Sequence, residues 1–256
     1  VRFLISWEGI NPQVDQIDQA YLQAITAQVK EATALGMYVL IDFHTDLFSR
    51  YVFNQGSSAA GNGAPEWVVK DQGFPQEFCG VCLTWTQNLV TNEAVRKGLR
   101  NFWNNAPINT PIGTRYMQDA FLWQMDQTLR YLKSNLTASE FALIQGVDPI
   151  NEPADGGMNG LSVADWENKV MWPLYRKIRT MMDNNGWYDK PVYAEPLVFW
   201  NTSAPLGTGG HHVLNPPTRG FVFNAHFYDG PRQMGLDTSV VNSATYLPDI
   251  HKVRDE

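Results

Sequence analysis

Short apolar runs alternate with helical stretches along this chain, and this alternation limits the folds that it can adopt. Strands that alternate with helices indicate a parallel α/β sheet. A doubly wound nucleotide-binding fold would show G-x-G-x-x-G after its first strand, and the sequence has no such motif there. The predicted strands are residues 1–6, 38–43, 141–152, 192–196 and 221–225, and the predicted helices are residues 17–36, 92–104, 116–132 and 162–182.

Several of the predicted strands end in polar or ionisable side chains. This favours a (β/α)8 barrel, because such barrels carry their chemistry at the carboxyl ends of the strands. Five strands precede Glu256, and the chain begins inside a strand without a Met or a signal segment. We therefore predict a TIM barrel that is incomplete at both ends, with roughly strands two to six present, as one partial domain over residues 1–256. Pro173 is expected to kink the helix that follows Ser162.

The composition excludes several classes of protein. With 44% hydrophobic and 18% charged residues the chain is not disordered, and its net charge of -7 argues against a nucleic-acid or anionic-membrane surface. No apolar run approaches the roughly 18–20 residues that a transmembrane helix needs. The Trp and Tyr content suits either a groove that stacks on sugar rings or a large core. Cys79 and Cys82 are compatible with a local disulfide, which we favour, or with two free thiols.

The stretch from Gly146 to Pro153 is the strongest candidate for a catalytic motif. Pro153 cannot donate to a sheet ladder, so Asn151 and Glu152 are expected at the carboxyl end of a strand. A Glu that holds a proton can donate it to a departing glycosidic oxygen, and an Asn beside it can bind a sugar hydroxyl. From the tripeptide alone, a loop with a chance N-E-P remains an alternative.

Residues 42–46, with the sequence D-F-H-T-D, are open to two interpretations. They could form a metal site of hard oxygens and one imidazole. However, they contain a single His, and no other acid-rich cluster follows at ligand spacing. We therefore favour hydrogen bonds between sugar hydroxyls and the side chains of His44 and Asp46, and expect no metal.

Charged or aromatic side chains also lie near the start of one predicted strand and at the end of another. Arg2 near the start of a buried strand must be paired, and could hold a catalytic carboxylate ionised, unless it lies at a strand edge in solvent. His226 and Tyr228 share one face of their strand end, since alternate residues do. They could contact substrate and tune a carboxylate, or be a core His with a Tyr at the rim.

Taken together and in this order, these motifs resemble glycoside hydrolase family 5. Within that family the chain is similar to the endoglycoceramidases, on the evidence of residues 61–67 (G-N-G-A-P-E-W) in the long segment 44–84. The resemblance spans nearly the whole chain. The motifs that carry it are Arg2, residues 42–46, residues 151–153 and residues 226–228.

The resemblance implies a retaining glycosidase that cleaves between a glycan and a ceramide-like lipid. It implies that Glu152 is the acid/base and that Asn151 lies next to the sugar 2-hydroxyl. It further implies that one group of residues contacts the glycan and another surrounds the second carboxylate. The first group is His44, Asp46 and Trp67, and the second is Arg2, His226 and Tyr228.

The expected partner is a glycolipid or oligosaccharide, with transient contact to lipid surfaces or micelles and without a cofactor or nucleic acid. From the resemblance we also expect a secreted or extracytoplasmic protein. Two other functions stay open. One is a cellulase- or mannanase-type member of the same family, and the other is a non-catalytic, glycolipid-binding barrel fragment.

Glu195, in a second strand-end Glu-Pro pair, is a tempting nucleophile that we do not favour. One helix separates it from Glu152, so the two acids are expected on neighbouring strands, on one side of the sugar. A nucleophile must attack the face opposite the departing oxygen. The resemblance places the nucleophile one strand after the His-x-Tyr strand, so we expect it downstream of Glu256.

Overall fold

A five-stranded parallel sheet forms the centre of the computed structural model, which describes residues 1–53, 61–70, 72–73, 86–158, 160–200, 217, 219–226, 247, 250–251 and 254. The strands in chain order are β1 (Arg2–Ile5), β2 (Val39–Phe43), β3 (Pro107–Thr110), β4 (Gly113–Tyr116), β5 (Ile144–Asp148), β6 (Val192–Ala194) and β7 (Phe221–Phe223). The parallel sheet has the order β1-β2-β5-β6-β7, and β3 and β4 form a separate antiparallel hairpin.

Helices connect the parallel strands. They are α1 (Trp7–Ile10), α2 (Gln19–Ala34), α3 (Glu66–Val69), α4 (Gln87–Thr91), α5 (Glu93–Trp103), α6 (Met117–Asn135), α7 (Ala138–Ala142), α8 (Val163–Trp166) and α9 (Trp172–Asn184), with a 3-10 turn at Arg50–Val52 and a π-helical turn at Glu167–Met171. Within the described residues, none of them has the length and apolar character needed to cross a bilayer.

The parallel strands follow one another in space as they do in sequence, which is the arrangement of a (β/α)8 barrel. A strand is present at each of the five predicted places, although each is shorter than predicted. All residues of β2 are buried. This agrees with its continuous apolar run, which predicted a strand covered on both faces. The helices bury their apolar stripes against the sheet, as α6 does with Met125, Leu129 and Leu132.

The register of the sheet brings the ends of its strands to one edge. Leu4 pairs with Asp42, and Asp42 pairs with Asp148, the last residue of β5. Ala194, the last residue of β6, pairs with Phe223, the last residue of β7. Residues that follow β2, β5, β6 and β7 therefore meet at the carboxyl edge, where barrel chemistry is expected.

The predicted strand over residues 141–152 is wrong at both ends. Thr137 and Glu140 form a capping box that starts α7, and this short helix buries Phe141 against Trp187. The strand begins only at Ile144 and ends at Asp148. A short apolar run cannot by itself distinguish the end of a helix from the start of a buried strand.

Two other segments differ from the sequence-based prediction. The hairpin of β3 and β4 was missed, although Pro111 and Gly113, whose φ is 113°, mark its turn. The helix predicted after Ser162 is not one continuous α-helix, because the π-helical turn Glu167–Met171 lies between α8 and α9, just before Pro173. Proline has no N–H for the carbonyl four residues back, and the wider turn just before it accommodates that missing hydrogen bond.

Candidate active site

Arg2 lies at the centre of a group of carboxylates. Its Nη2 atom lies 2.9 Å from Asp148 Oδ2 and 2.8 Å from Glu195 Oε1. Its Nε atom lies 3.2 Å from Asp42 Oδ2. The prediction that Arg2 is paired is confirmed, and the alternative of a solvated arginine is wrong. Burial lowers the pKa of Arg2, but the charges of Asp148, Asp42 and Glu195 outweigh it and raise the pKa, so Arg2 is a permanent cation here.

His44 bridges two carboxylates beside this group. Its Nδ1 lies 2.8 Å from Asp42 Oδ2, and its Nε2 lies 3.1 Å from Asp46 Oδ2. Burial lowers the pKa of His44, but hydrogen bonds to Asp42 and Asp46 outweigh it and raise the pKa to about 9. His44 is therefore cationic at neutral pH and donates from both nitrogens. A metal could bind it only after one of these hydrogen bonds had broken.

Asp46 is also held by the segment that contains the endoglycoceramidase-like residues. Asn62 Nδ2 donates to Asp46 Oδ2 at 2.9 Å, and the backbones of the two residues form a bridge. Gly61 allows this close approach, because a Cβ there would lie 1.8 Å from the carbonyl oxygen of Asp46. The presence of glycine at position 61 of this G-N-G sequence is thus explained by the contact that it makes possible.

Asn151 is fixed at both ends of its amide. Its Oδ1 accepts a hydrogen bond from Arg2 Nη2 at 2.8 Å. Its Nδ2 donates to the carbonyl oxygen of Thr45 at 3.3 Å and to Asp46 Oδ1 at 3.2 Å. This network orients the amide without any freedom to flip, as expected for a residue that positions a sugar hydroxyl.

Glu152 lies beyond the end of β5, in a conformation that is unusual for its residue type. Its φ is 45°, in the left-handed region, and it is 7% exposed. Its backbone N–H donates to Glu195 Oε2 at 2.7 Å. Its own Oε1 lies 3.1 Å from Nδ1 of His226. The surroundings therefore hold both the backbone and the carboxyl group of Glu152.

His226 connects the two glutamates. Its Nε2 lies 3.0 Å from Glu195 Oε1, opposite the contact of Nδ1 with Glu152. Burial lowers the pKa of His226, but hydrogen bonds to Glu152 and Glu195 outweigh it and raise the pKa to about 9. The prediction that this histidine faces a carboxylate agrees with its position. Tyr228 lies outside the described residues.

Asp148 is fully buried beneath these side chains. Its Oδ2 accepts hydrogen bonds from Arg2 and, at 3.0 Å, from Asn224 Nδ2. Burial, followed by the charges of Glu195 and Asp42, raises the pKa of Asp148 well above its ordinary value, and the side chain shares a hydrogen bond with Glu195. Burial thus favours the neutral form of the Asp148 carboxyl, against the opposing charge of Arg2.

The charges of the group can balance only if carboxyls hold protons. Three cationic side chains face five carboxyl groups, so neutrality would require two protons on the carboxyls. The cations are Arg2, His44 and His226, and the carboxyls are those of Asp42, Asp46, Asp148, Glu152 and Glu195.

This site has the residues and the strand-end position of a glycosidase. The profile of the Cellulase (glycosyl hydrolase family 5) family matches residues 1–251. The chain belongs to glycosyl hydrolase family 5. The predicted family and barrel fold are thereby confirmed.

Known relatives of this family 5 chain include endoglycoceramidases. Endoglycoceramidase I of Rhodococcus hoagii (strain 103S) is 26% identical over 253 residues, which cover 92% of this chain and 44% of that protein. The ganglioside GM3 complex of endo-glycoceramidase II from Rhodococcus sp. has a TM-score of 0.71 and 21% identity, covering 99% of this chain and 54% of that one. A crystal structure of endogalactoceramidase has a TM-score of 0.63 and 20% identity, with coverages of 89% and 47%. The chain spans about half the length of these relatives.

An apolar pocket adjoins Glu152 in this family 5 site. Aromatic side chains contribute much of its lining, including Trp7, Phe48 and Phe121. Trp67 is not among the residues that line this apolar pocket, and its contact with the glycan stays a prediction. The Trp67 ring packs edge-on against Trp7, with centroids 6.4 Å apart, and its Nε1 donates to the carbonyl oxygen of Asn11 at 3.0 Å. The structure thus brings together the other described candidates and places Trp67 next to Trp7.

Sequence reasoning missed the residues that support the site from within. Asp148 ends a buried strand, so its charge needed a partner, and this was a usable signal. Glu195 was considered only as a nucleophile, whereas it contacts Arg2, His226 and the backbone of Glu152. Asn224 follows β7 and gave no signal of its own, because its partner Asp148 is 76 residues away in sequence.

Proposed function

We propose that this chain carries the acid/base part of a retaining glycoside hydrolase that cleaves the bond between a glycan and a ceramide-like lipid. The observation that carries the proposal is the environment of Glu152. This buried glutamate lies at the carboxyl edge of the sheet, with His226 on its Oε1 and Asn151 held rigidly beside it. A buried carboxyl with fixed orientation is what proton transfer to a leaving oxygen requires.

The reaction would proceed in two displacements. A carboxylate attacks the anomeric carbon while the glycosidic C–O bond breaks, and Glu152 gives its proton to the departing oxygen. Glu152, now ionised, then takes a proton from water as the water oxygen attacks the same carbon and releases the first carboxylate. The sugar keeps its anomeric configuration, and the two carboxyls are expected about 5–5.5 Å apart.

The substrate class follows from two lines of support. The relatives are named for cleavage of glycosylceramides, and one of the similar structures is a ganglioside GM3 complex. The pocket beside Glu152 has apolar walls next to a polar group of Arg, His, Asn and carboxylate side chains. A glycolipid has the same division between a polar and an apolar part. Secretion and contact with lipid surfaces stay predictions.

The nucleophile is proposed to lie downstream of Glu256. Glu195 is a poor candidate because three donors occupy its oxygens: Arg2 Nη2, His226 Nε2 and the backbone N–H of Glu152. Those contacts hold its carboxylate beside Glu152, not opposite it, whereas attack must come from the other face of the sugar.

The test uses an active protein that contains residues 1–256. Its turnover is measured on a fluorescently labelled glycosphingolipid and on soluble β-glucans and β-mannans. We expect hydrolysis of the glycosphingolipid with release of the intact glycan. We expect little hydrolysis of the polysaccharides. Hydrolysis of the polysaccharides alone would support the cellulase- or mannanase-type alternative. Binding of the glycolipid without any turnover would support a non-catalytic binding function.

A further inference from the structure

Glu195 contacts Glu152 in two separate ways. Its Oε2 accepts the backbone N–H of Glu152 at 2.7 Å. Its Oε1 lies 3.0 Å from Nε2 of His226, whose Nδ1 lies 3.1 Å from Oε1 of Glu152. One carboxylate therefore reaches the backbone of Glu152 directly and its carboxyl group through a single imidazole.

The backbone contact matters because of the conformation of Glu152. A φ of 45° is disfavoured for a residue with a side chain and persists only where neighbouring groups hold it. The N–H of Glu152 points at Glu195 in this conformation, and a carboxylate is a stronger acceptor than a neutral oxygen. The conformation in turn decides where the side chain of Glu152 begins.

The segment that carries Glu195 is itself fixed by the helical layer. The hydroxyl of Tyr175 donates to the carbonyl oxygen of Glu195 at 2.8 Å. Two residues later, the N–H of Leu197 donates to Oε1 of Glu167 at 2.9 Å. Glu167 is buried in the π-helical turn. Such turns are rare in proteins overall, but those that occur often lie at functional sites. Helix-borne side chains thus determine where the carboxylate of Glu195 lies.

From these contacts we propose that Glu195 is a positioning residue for Glu152. It holds Glu152 in its left-handed conformation and, through His226, directs the carboxyl group toward the leaving oxygen. This inference rests on the proposed role of Glu152 as the acid/base. It gives Glu195 a function that requires no attack on the sugar.

A glutamine at position 195 could not replace these contacts. Three donors converge on the two oxygens of Glu195, from Arg2 at 2.8 Å, from His226 and from the N–H of Glu152. The amide nitrogen of glutamine is a donor and would face at least one of them. Glu195→Gln therefore breaks at least one of the contacts that orient Glu152 while leaving the side-chain volume unchanged.

The experiment compares kcat/KM for two substrates of an active protein that contains this chain. One is a labelled glycosphingolipid, whose leaving group needs a proton, and the other is a dinitrophenyl glycoside of the same glycan, whose leaving group does not. For Glu195→Gln we expect roughly a 10- to 100-fold loss on the glycolipid and at most about a threefold loss on the dinitrophenyl glycoside. An equal loss on both would overturn the inference, as would labelling of Glu195 by a 2-fluoro glycoside.

The matched control is Glu140→Gln. It changes a glutamate that also accepts a backbone N–H, from Thr137 at 2.7 Å, but in the capping box of α7 and not in the active site. We expect an unchanged ratio of the two kcat/KM values. If Glu195→Gln does not fold, Glu195→Asp keeps the charge but is too short to reach both sides, and should shift the ratio in the same direction. A wild-type protein that is inactive on both substrates would overturn the proposed function instead.

Discussion

The Nδ1 atom of His226 lies 3.1 Å from Oε1 of Glu152, so the proposed acid/base has a cationic imidazole beside it at neutral pH. The same ring contacts Glu195 through Nε2. Loss of the positive charge of His226 therefore affects two buried carboxyls at once. This makes the titration of His226 a property of the folded site that can be measured.

We expect the free energy of unfolding to fall as the pH rises from about 6.5 to about 9. The pKa of His226 is raised to about 9 in the folded state, so the folded state binds more protons than the unfolded state in this window. The stabilisation is complete below the unfolded pKa and is lost as the pH passes the folded pKa. In the His226→Gln variant, this fall in the free energy of unfolding should be smaller by on the order of 2–3 kcal/mol. Urea unfolding at several pH values across the window measures it.

His44 contributes to the same pH window, because its pKa is also raised to about 9. The His44→Gln variant is therefore the matched comparison, and the double variant should remove both contributions. If His226→Gln unfolds with the same pH dependence as the wild type, His226 does not carry a proton in the folded site.

Arg2 should contribute more to stability than an exposed arginine. Arg2→Met leaves Asp42 and Glu195 without their central cation, and we expect a loss of about 3–5 kcal/mol. The control is Arg130→Met, which removes an exposed pair with Asp126 and should cost about 0–1 kcal/mol. Equal shifts of the denaturant midpoint for the two variants would show that the central pairing adds no stability.

Asp148 should tolerate replacement by its neutral isostere. Burial raises its pKa well above the ordinary value and so favours the neutral form of the side chain. Asp148→Asn should therefore change the free energy of unfolding by less than about 1 kcal/mol, whereas Asp148→Ala leaves the amide of Asn224 unsatisfied and should cost about 2–4 kcal/mol. A loss of about 2–4 kcal/mol for both variants would mean that Asp148 is ionised opposite Arg2.

The nucleophile can be located by trapping. An active protein that contains this chain, treated with an activated 2-fluoro glycoside, should accumulate a covalent glycosyl-enzyme. Peptide mapping is expected to place the label downstream of Glu256, because Glu195 is bonded to three donors on the side of Glu152. A label within residues 1–256 would contradict this expectation.

The sequence was sufficient to predict the barrel and most of the polar edge. Apolar runs such as residues 38–43 predicted buried strands because a strand covered on both faces must be apolar throughout. The position of His226 followed from the same reasoning about strand ends. These features depend on local pattern, which is visible in a single sequence.

The remaining features depend on contacts between distant residues. The role of Glu195 comes from its approach to Glu152, 43 residues earlier, and no local pattern reports it. The place of Phe141 in α7 is an exception, because the capping box of Thr137 and Glu140 that starts this helix is a local pattern that the prediction did not use. Trp67 was assigned by resemblance, and its packing against Trp7, 60 residues earlier in the chain, could not be read from a local pattern.

The most direct test of the proposed mechanism is Glu152→Gln in an active protein that contains this chain. Glutamine keeps the shape of the side chain but cannot give up a proton. We predict that kcat/KM falls by roughly 100- to 10,000-fold on a glycosphingolipid and by less than about tenfold on a dinitrophenyl glycoside of the same glycan, whose leaving group needs no acid. An equal loss on both substrates would contradict the assignment of Glu152 as the acid.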